Sequence, residues 1–420
     1  MGWFSSGSGP AKKDGLPSLA LMHQLQCKIC PLDKLKNRNP HIPAKGAKHP
    51  LIYMLGEAPG AEEDSEAGHF IGKSGMLLRR RLPKEVLPHL RWNNVVRTRP
   101  KANATPERLE VECCRPSVAL DIAASKPRAI FGFGNIALQW ATSQIGIQKW
   151  RGRKTPVEIN GHAAWFYPML HPAALLRMGR RVKNDLGPTE IGSEEERAFT
   201  FDLQRALDEV EYLPEPKVLT PADLKAGLEL LTRLDQIESA LLWAADQQVI
   251  GLDYETFRMR PYAEDAQVLT AAIGTERRSF AFAFDHPGQK WSKHDRAKLN
   301  EIWRDFLMSQ TRKAVHNLPF EQEWSGVFYG ADVLRAGPWE CTYQQAAALD
   351  DRIGASESNE DKYRRGGGSL DFLIRQHFGV DLKKLSPLNK KDLRSEPLAD
   401  VLVYNGMDAK GHYLLWREQD

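Results

Sequence analysis

Two carboxylates, Asp253 and Glu255, close the apolar run Val249-Ile250-Gly251-Leu252 in the stretch Leu252-Asp253-Tyr254-Glu255-Thr256. On a strand, residues i and i+2 project to one face, so both acids address one spot. Alone, the pair reads more simply as the polar face of an edge strand. Two later groups turn it into a constellation. His316-Asn317-Leu318-Pro319-Phe320-Glu321 sets an acid four residues after Asn317, and Tyr404-Asn405-Gly406-Met407-Asp408 sets Tyr404 and Asp408 one helical turn apart. Asp253, Glu255, Glu321 and Asp408 then supply four carboxylates around two divalent cations, the arrangement for in-line attack of water on a phosphodiester. Hard oxygen donors favour Mg2+ or Mn2+.

The elements that must position these groups fall into two domains, as a chain of 420 residues leads one to expect. In the first half, Leu51–Leu55 breaks at Gly56-Glu57-Ala58-Pro59-Gly60, Ala129–Phe133 at Gly134-Asn135, and Trp165–Leu170 at His171-Pro172. Apolar runs ending in such turns mark the carboxyl ends of buried parallel strands, where open α/β sheets place ligands. Helices lie between them, so the expectation is a parallel sheet covered by helices. The second half reads as a long helix over Pro221–Gln247, a β-meander from residue 249 onward, and a mobile loop over 353–369 that touches a DNA backbone. The boundaries are a disordered tail over 1–18, a first domain over 19–210, a linker over 211–220 and a second domain over 221–420.

Charge divides the same way. Residues 1–210 carry 31 Lys and Arg against 21 Asp and Glu, and the rest carry 27 against 33. A basic first half suits a nucleic-acid surface, and an acidic second half suits a cation site. No apolar run reaches membrane-spanning length and no signal peptide is evident, so a cytoplasmic protein without a membrane partner is expected. Five cysteines, two of them as Cys27-x-x-Cys30, suggest metal rather than disulfides.

Gly56–Asp64 with Gly68–Gly75, Asn94–Pro100 and His171–Arg177 resemble, in order, the motifs of the family 4 uracil-DNA glycosylases. The resemblance implies a parallel-sheet α/β/α domain in which Phe70 stacks on an extruded base and Asn94 reads its Watson–Crick edge. His171 then stabilises the departing anion, and Glu57 positions water. Leucines 175 and 176 wedge into the duplex while Arg177 takes phosphate. His69 stands where the family commonly has proline. The family's four-iron four-sulfur cluster is matched at Cys27, Cys30 and Cys114, whereas the remaining position is Thr98. Three readings stay open: Cys113 substitutes, the cluster is labile, or it is absent.

The order Asp-x-Glu, Asn-x-x-x-acid, Tyr-x-x-x-Asp resembles the tyrosine-bearing DEDD proofreading 3′-5′ exonucleases of DNA polymerase I type. It implies a mixed-sheet ribonuclease H-like domain with Asp253 bridging both metals. Glu255 and Asp408 complete the shells, Tyr404 orients water, Asn317 lies beside the substrate, and Glu321 stands where Asp is usual. The fusion resembles the front of certain bacteriophage DNA polymerases, and no polymerase follows before Asp420. The expectation is an exonuclease on single-stranded 3′ DNA ends, in infected-host cytoplasm, with a polymerase on a separate chain. A bifunctional enzyme that also excises uracil and a non-catalytic replisome scaffold are the alternatives.

Overall fold

The computed structural model describes residues 16–176, 194–350, 352–353, 367–382, 385 and 388–420. Most of the expected disordered tail, Arg177 with the basic loop after it, and the centre of the 353–369 loop lie outside the described residues. The chain forms two compact units, residues up to Pro216 and Lys217–Asp420, except that Lys154–Pro156 groups with the second.

The first unit holds a six-stranded sheet of β1 (Lys45–Gly46), β2 (Ile52–Gly56), β3 (Leu90–Asn94), β4 (Ala129–Phe133), β5 (Thr155–Ile159) and β6 (His162–Met169), in the order β1-β3-β2-β4-β6-β5. Strands β3, β2, β4 and β6 run parallel, with Gly56 opposite Asn94 and Phe133 opposite Met169. The sheet is nevertheless mixed, which corrects the all-parallel expectation. Strand β1 pairs antiparallel with β3, and only Asn160 and Gly161, both at positive φ, separate β5 from β6. A two-residue connection of that kind makes a hairpin. Neither feature shows as an apolar run, because Lys45 and Gly46 are exposed edge residues.

The second unit carries β7 (Leu228–Leu231), β8 (Val249–Phe257), β9 (Gln267–Gly274), β10 (Ser279–Ala283), β11 (Arg312–Val315) and β12 (Trp339–Cys341), in the order β12-β11-β8-β9-β10-β7. The meander β8-β9-β10 is antiparallel, while β11 joins β8 and β7 joins β10 in parallel. Pro221–Gln247 is not one helix. It divides into helix Pro221–Lys225, strand β7 and helix Leu234–Ala245. Leu228, Leu230 and Leu231 imitate a helical stripe but pair with Ser279, Ala281 and Phe282, and this tertiary pairing overrides local pattern.

One face of β8 supplies Leu252 and Tyr254 to the main core with Phe282, Trp303 and Trp324. The opposite face meets the helix Leu398–Gln419. Gly251 and Gly274 are cross-strand partners at this contact. A Cβ on Gly251 would come within 1.9 Å of the Ala409 carbonyl oxygen, and one on Gly274 within 2.5 Å of the Lys410 nitrogen. Main chain lies on main chain here, so no rotamer change can make room. Gly251→Ala is therefore expected to destabilise the second unit by about 3 kcal/mol, the upper end of overpacking costs. Gly326→Ala, which meets only the flexible Leu334 side chain, should stay within about 1 kcal/mol of the parent. Urea unfolding followed by tryptophan fluorescence distinguishes the two.

Candidate functional site

Alternation along β8 turns Asp253 and Glu255 away from the core, toward the helix Leu398–Gln419, and a register irregularity between Glu255 and Thr256 breaks the ladder beside them. That helix brings Asp408 to the pair, and ligand oxygens of Asp253, Glu255 and Asp408 all lie within 4.8 Å of one another. The cluster is rich in carboxylate and suits a divalent ion such as Mg2+ or Mn2+. Glu321 stands in the first turn of the helix Leu318–Tyr329 and is 3% exposed. It is outside the three-residue group, yet its charge acts on both Asp253 and Glu255. Asn317 caps that helix with an exposed side chain that makes no cap hydrogen bond, and no contact places it with the carboxylates.

Burial dominates the electrostatics. Desolvation, then neighbouring carboxylates, push Asp253 well above the usual range, while Glu255 and Glu321 rise to about 8 and Asp408 to about 6, desolvation being the largest cause in each. Asp408 Oδ1 and Glu321 Oε2 find no hydrogen-bond partner among the described residues. Tyr404 stands one helical turn before Asp408, and desolvation and the acids around it push its phenol up.

Four supporting residues escaped the sequence reading. Asn405 donates from Nδ2 to Asp253 Oδ2 at 2.6 Å while its Oδ1 accepts from Thr270 Oγ1 at 2.9 Å. His412 donates from Nδ1 to the Leu252 carbonyl at 2.7 Å, so its Nε2 turns a lone pair toward Asp253 Oδ1, 3.7 Å away. Burial lowers this imidazole to about 3, so it is neutral. Lys390 donates to the Tyr404 hydroxyl and favours ionisation of Glu255 and Asp408. The adjacency of Asn405 to Tyr404 and Asp408 was the only available signal, since Thr270, Lys390 and His412 belong to no motif.

In the first unit the carboxyl ends of β2, β3 and β6 bring Glu57, Asn94 and His171 to one edge. Gly56 makes the fit possible, because a Cβ there would lie 2.2 Å from Asn94 Oδ1 and 2.8 Å from Phe70 Cζ. Phe70 has φ 53° and packs on Trp92 and Phe133, ring centroids 5.2 and 5.5 Å away. Two groups hold that backbone. Arg79 donates from Nε to the Phe70 carbonyl at 2.9 Å and from Nη2 to that of His69 at 3.0 Å. The Glu63 carboxylate accepts from the N–H groups of Gly60, Ile71 and Gly72, each at 3.0 Å.

Burial lowers His69 to about 4, so this ring too is neutral. Its Nε2 donates to the Pro43 carbonyl at 2.9 Å, and its Nδ1 accepts from Asn94 Nδ2 at 3.1 Å. His69 thereby fixes the amide that the sequence reading assigned to base recognition. His171 accepts from the Ala173 N–H at Nδ1, 3.1 Å away, which leaves its proton on Nε2 when the ring is neutral.

Residues 43–189 match the uracil DNA glycosylase superfamily. The type-4 uracil-DNA glycosylase of Pyrobaculum aerophilum is 33% identical over 168 residues, covering 38% of this chain and 85% of that one. The type-4 enzyme of Saccharolobus solfataricus is 32% identical over 160 residues, covering 36% and 73%. Through its first unit the chain belongs to the type-4 uracil-DNA glycosylase family. Among solved structures, the Nibbler EXO domain of Aedes aegypti is similar at a TM-score of 0.32 and 12% identity, over 46% of this chain and 88% of that one.

The raised carboxyls of the second unit set a sign for its pH dependence. An acid with a higher pKa folded than unfolded keeps its proton longest in the folded state, so stability falls as pH rises. For Glu255 and Glu321 the window runs from 4.5 to about 8. In chelator, the thermal midpoint should fall across this window, and Mn2+ should restore it at the alkaline end. At pH 9 without metal, Glu321→Met should raise stability by about 1–3 kcal/mol, a gain that vanishes below the window.

Proposed function

We propose that the second unit is a divalent-metal-dependent 3′-5′ exonuclease and that the first is a glycosylase-like domain presenting nucleic acid or a replication partner. The observation that carries the reading is the convergence of Asp253, Glu255 and Asp408 within 4.8 Å, with Asp253 and Asp408 buried and no basic side chain among the three. Such a site is poorly stable until a cation enters. Bound divalent ions activate water and stabilise charge building on a scissile phosphate.

The side chains of this chain do the remaining work. Asn405 holds Asp253 in one rotamer, so an oxygen stays directed into the site. Tyr404, which accepts from Lys390 and stands one helical turn before Asp408, is assigned to orienting the attacking water. Glu321 adds negative charge beside the pair. Asn317, exposed at the mouth of its helix, and Arg177 are assigned to substrate. DNA with a single-stranded 3′ end is the proposed substrate, supported by the glycosylase-family first unit. A polymerase on a separate chain is the proposed partner, on the strength of the motif order.

The second reading, uracil excision by the first unit, is favoured by Asn94, Phe70 and His171 meeting at one sheet edge in a member of this family. Phe70 would stack on the base, Asn94 pair with it, His171 donate from Nε2 to its oxygen, and Glu57 position water. Cys27, Cys30 and Cys114, with Cys113 adjacent, are proposed to hold metal in this unit.

With Mg2+ or Mn2+, a 3′-labelled DNA single strand should be shortened stepwise, and Asp253→Ala or Asp408→Asn should slow this by about 100-fold or more. Full activity in Asp253→Ala refutes the assignment, and faster loss of an RNA strand of the same sequence moves the substrate to RNA. Asn94→Ala should leave shortening unchanged. Abasic sites on a uracil oligonucleotide, if formed, should disappear in Asn94→Ala and His171→Leu; their persistence rules out this pocket.

A further inference from the structure

The type-4 glycosylase family implies a cluster on four cysteines, and the residues present do not supply them at the matching positions. Thr98 is 2% exposed, and its hydroxyl accepts a hydrogen bond from the His41 main-chain N–H at 3.0 Å. A buried alcohol in that role is no substitute for a thiolate. Cys113 and Cys114 are consecutive on the helix Arg108–Ser125, and consecutive helical residues project about 100° apart. Both nevertheless lie in one buried cluster with Cys30, so Cys113 is the rival to His41 for the fourth place.

What the Thr98 hydroxyl does hold in place is a histidine. His41 has φ 56°, an unfavourable conformation for a residue with a side chain. Its segment is pinned on several sides. The Ile42 N–H donates to the Arg97 carbonyl at 2.8 Å, and Arg97 donates from Nη2 to the His41 carbonyl at 2.9 Å and from Nε to that of Ile42 at 3.2 Å. The imidazole lies between two partners. Nε2 is 2.9 Å from Asp33 Oδ1 and Nδ1 is 3.6 Å from Cys27 Sγ. With its proton on Nε2, donated to the carboxylate, the ring turns the Nδ1 lone pair toward the sulfur. A carboxylate behind an imidazole is the usual way proteins fix a metal-binding histidine in the right tautomer. Donor atoms of Cys27, Asp33 and His41 all lie within 4.8 Å of one another. Moreover, a thiolate and an imidazole nitrogen on one tetrahedral ion, with bonds of about 2.3 and 2.0–2.1 Å, stand about 3.6 Å apart. Cys30, Cys113 and Cys114 share the adjoining buried cluster with Leu32 and Val96.

We propose that His41, positioned by Asp33, replaces the fourth cysteine, so that Cys27, Cys30, Cys114 and His41 form a three-thiolate, one-imidazole metal centre in the first unit. Binding exchanges the thiol protons for metal–sulfur bonds, and His41 ligates through Nδ1 while Nε2 keeps its proton, donated to Asp33 Oδ1. Zinc(II) and an iron–sulfide cluster share this donor chemistry.

The test loads the full-length chain in two arms, with zinc(II) alone and with iron and sulfide under anaerobic conditions. Metal retained per chain is measured after a chelator challenge, with circular dichroism as the folding control. In the arm where the parent retains metal, His41→Ala should weaken binding about 100-fold and Asp33→Ala about 10-fold. Cys113→Ser should match the parent. His41→Cys should restore retention, and the cobalt(II)-substituted protein should show a changed ligand-field spectrum, which a merely structural histidine would not produce. Parent-level retention in His41→Ala, loss in Cys113→Ser with His41→Ala unaffected, or no retention by the parent in either arm would each overturn the proposal.

Discussion

The second unit depends on keeping like charges out of water at the end of β8. Asp253, Glu321 and Asp408 are all less than a tenth exposed, and two of their oxygens lack a hydrogen-bond partner among the described residues. Carboxylates so placed repel one another and lose hydration, and in the absence of a cation they must retain protons instead. His412 sharpens the point. Its Nε2 lone pair faces Asp253 Oδ1, so two acceptors confront each other unless Asp253 is protonated or a cation intervenes. The fold is therefore built around a deficit of positive charge, and the same deficit is what a divalent ion would satisfy.

Holding that deficit in place requires a rigid frame, which main-chain proximity provides. Gly251 and Gly274 allow the helix Leu398–Gln419 to rest on the sheet with Ala409 and Lys410 against the strands. Four residues earlier on that helix, Asn405 is then in range of both Thr270 and Asp253. A side chain on either glycine would lift the helix and separate Asp408 from the strand acids. In the first unit the comparable organiser is Glu63, whose carboxylate gathers three N–H groups from two turns. There a charge is stabilised by main-chain donors, whereas at β8 charges are left short of partners. The first arrangement shapes a loop and the second prepares a cation site.

Much of this was legible in the sequence because the informative residues are local. Asp253 and Glu255 differ by two on an apolar strand, and Tyr404 and Asp408 by four on a helix, so periodicity alone assigned each pair a common face. The parallel core strands β2, β4 and β6 announced themselves as apolar runs ending in turns. Features set by contacts between distant segments did not. Strand β7 was hidden because its leucines fit a helical stripe as well as a strand, and only pairing with β10 decides between them. Strand β1 is two exposed residues with no pattern. His412, Lys390 and Thr270 carry no spacing signal, and His41 acquires meaning only when the Arg97 and Thr98 segment is brought alongside it.

Glu321 shows how a departure from a motif can conserve its physics. In the exonuclease motif that the sequence resembles, an aspartate is usual at this place, and the added methylene would move the carboxylate by about an ångström, a displacement that matters for a reaction of that kind. Placement in the first turn of the helix Leu318–Tyr329 sets the acid near the positive end of the helix dipole. That favours a charge there, but desolvation outweighs it and the acid still rises to about 8. Because Glu321 raises both Asp253 and Glu255, its charge is felt at the strand pair even though its oxygens stand outside the tight group. The substitution thus keeps the number of negative charges and relaxes where one of them is delivered. An ion that tolerates irregular oxygen geometry suits such a site better than one demanding a near-ideal octahedron.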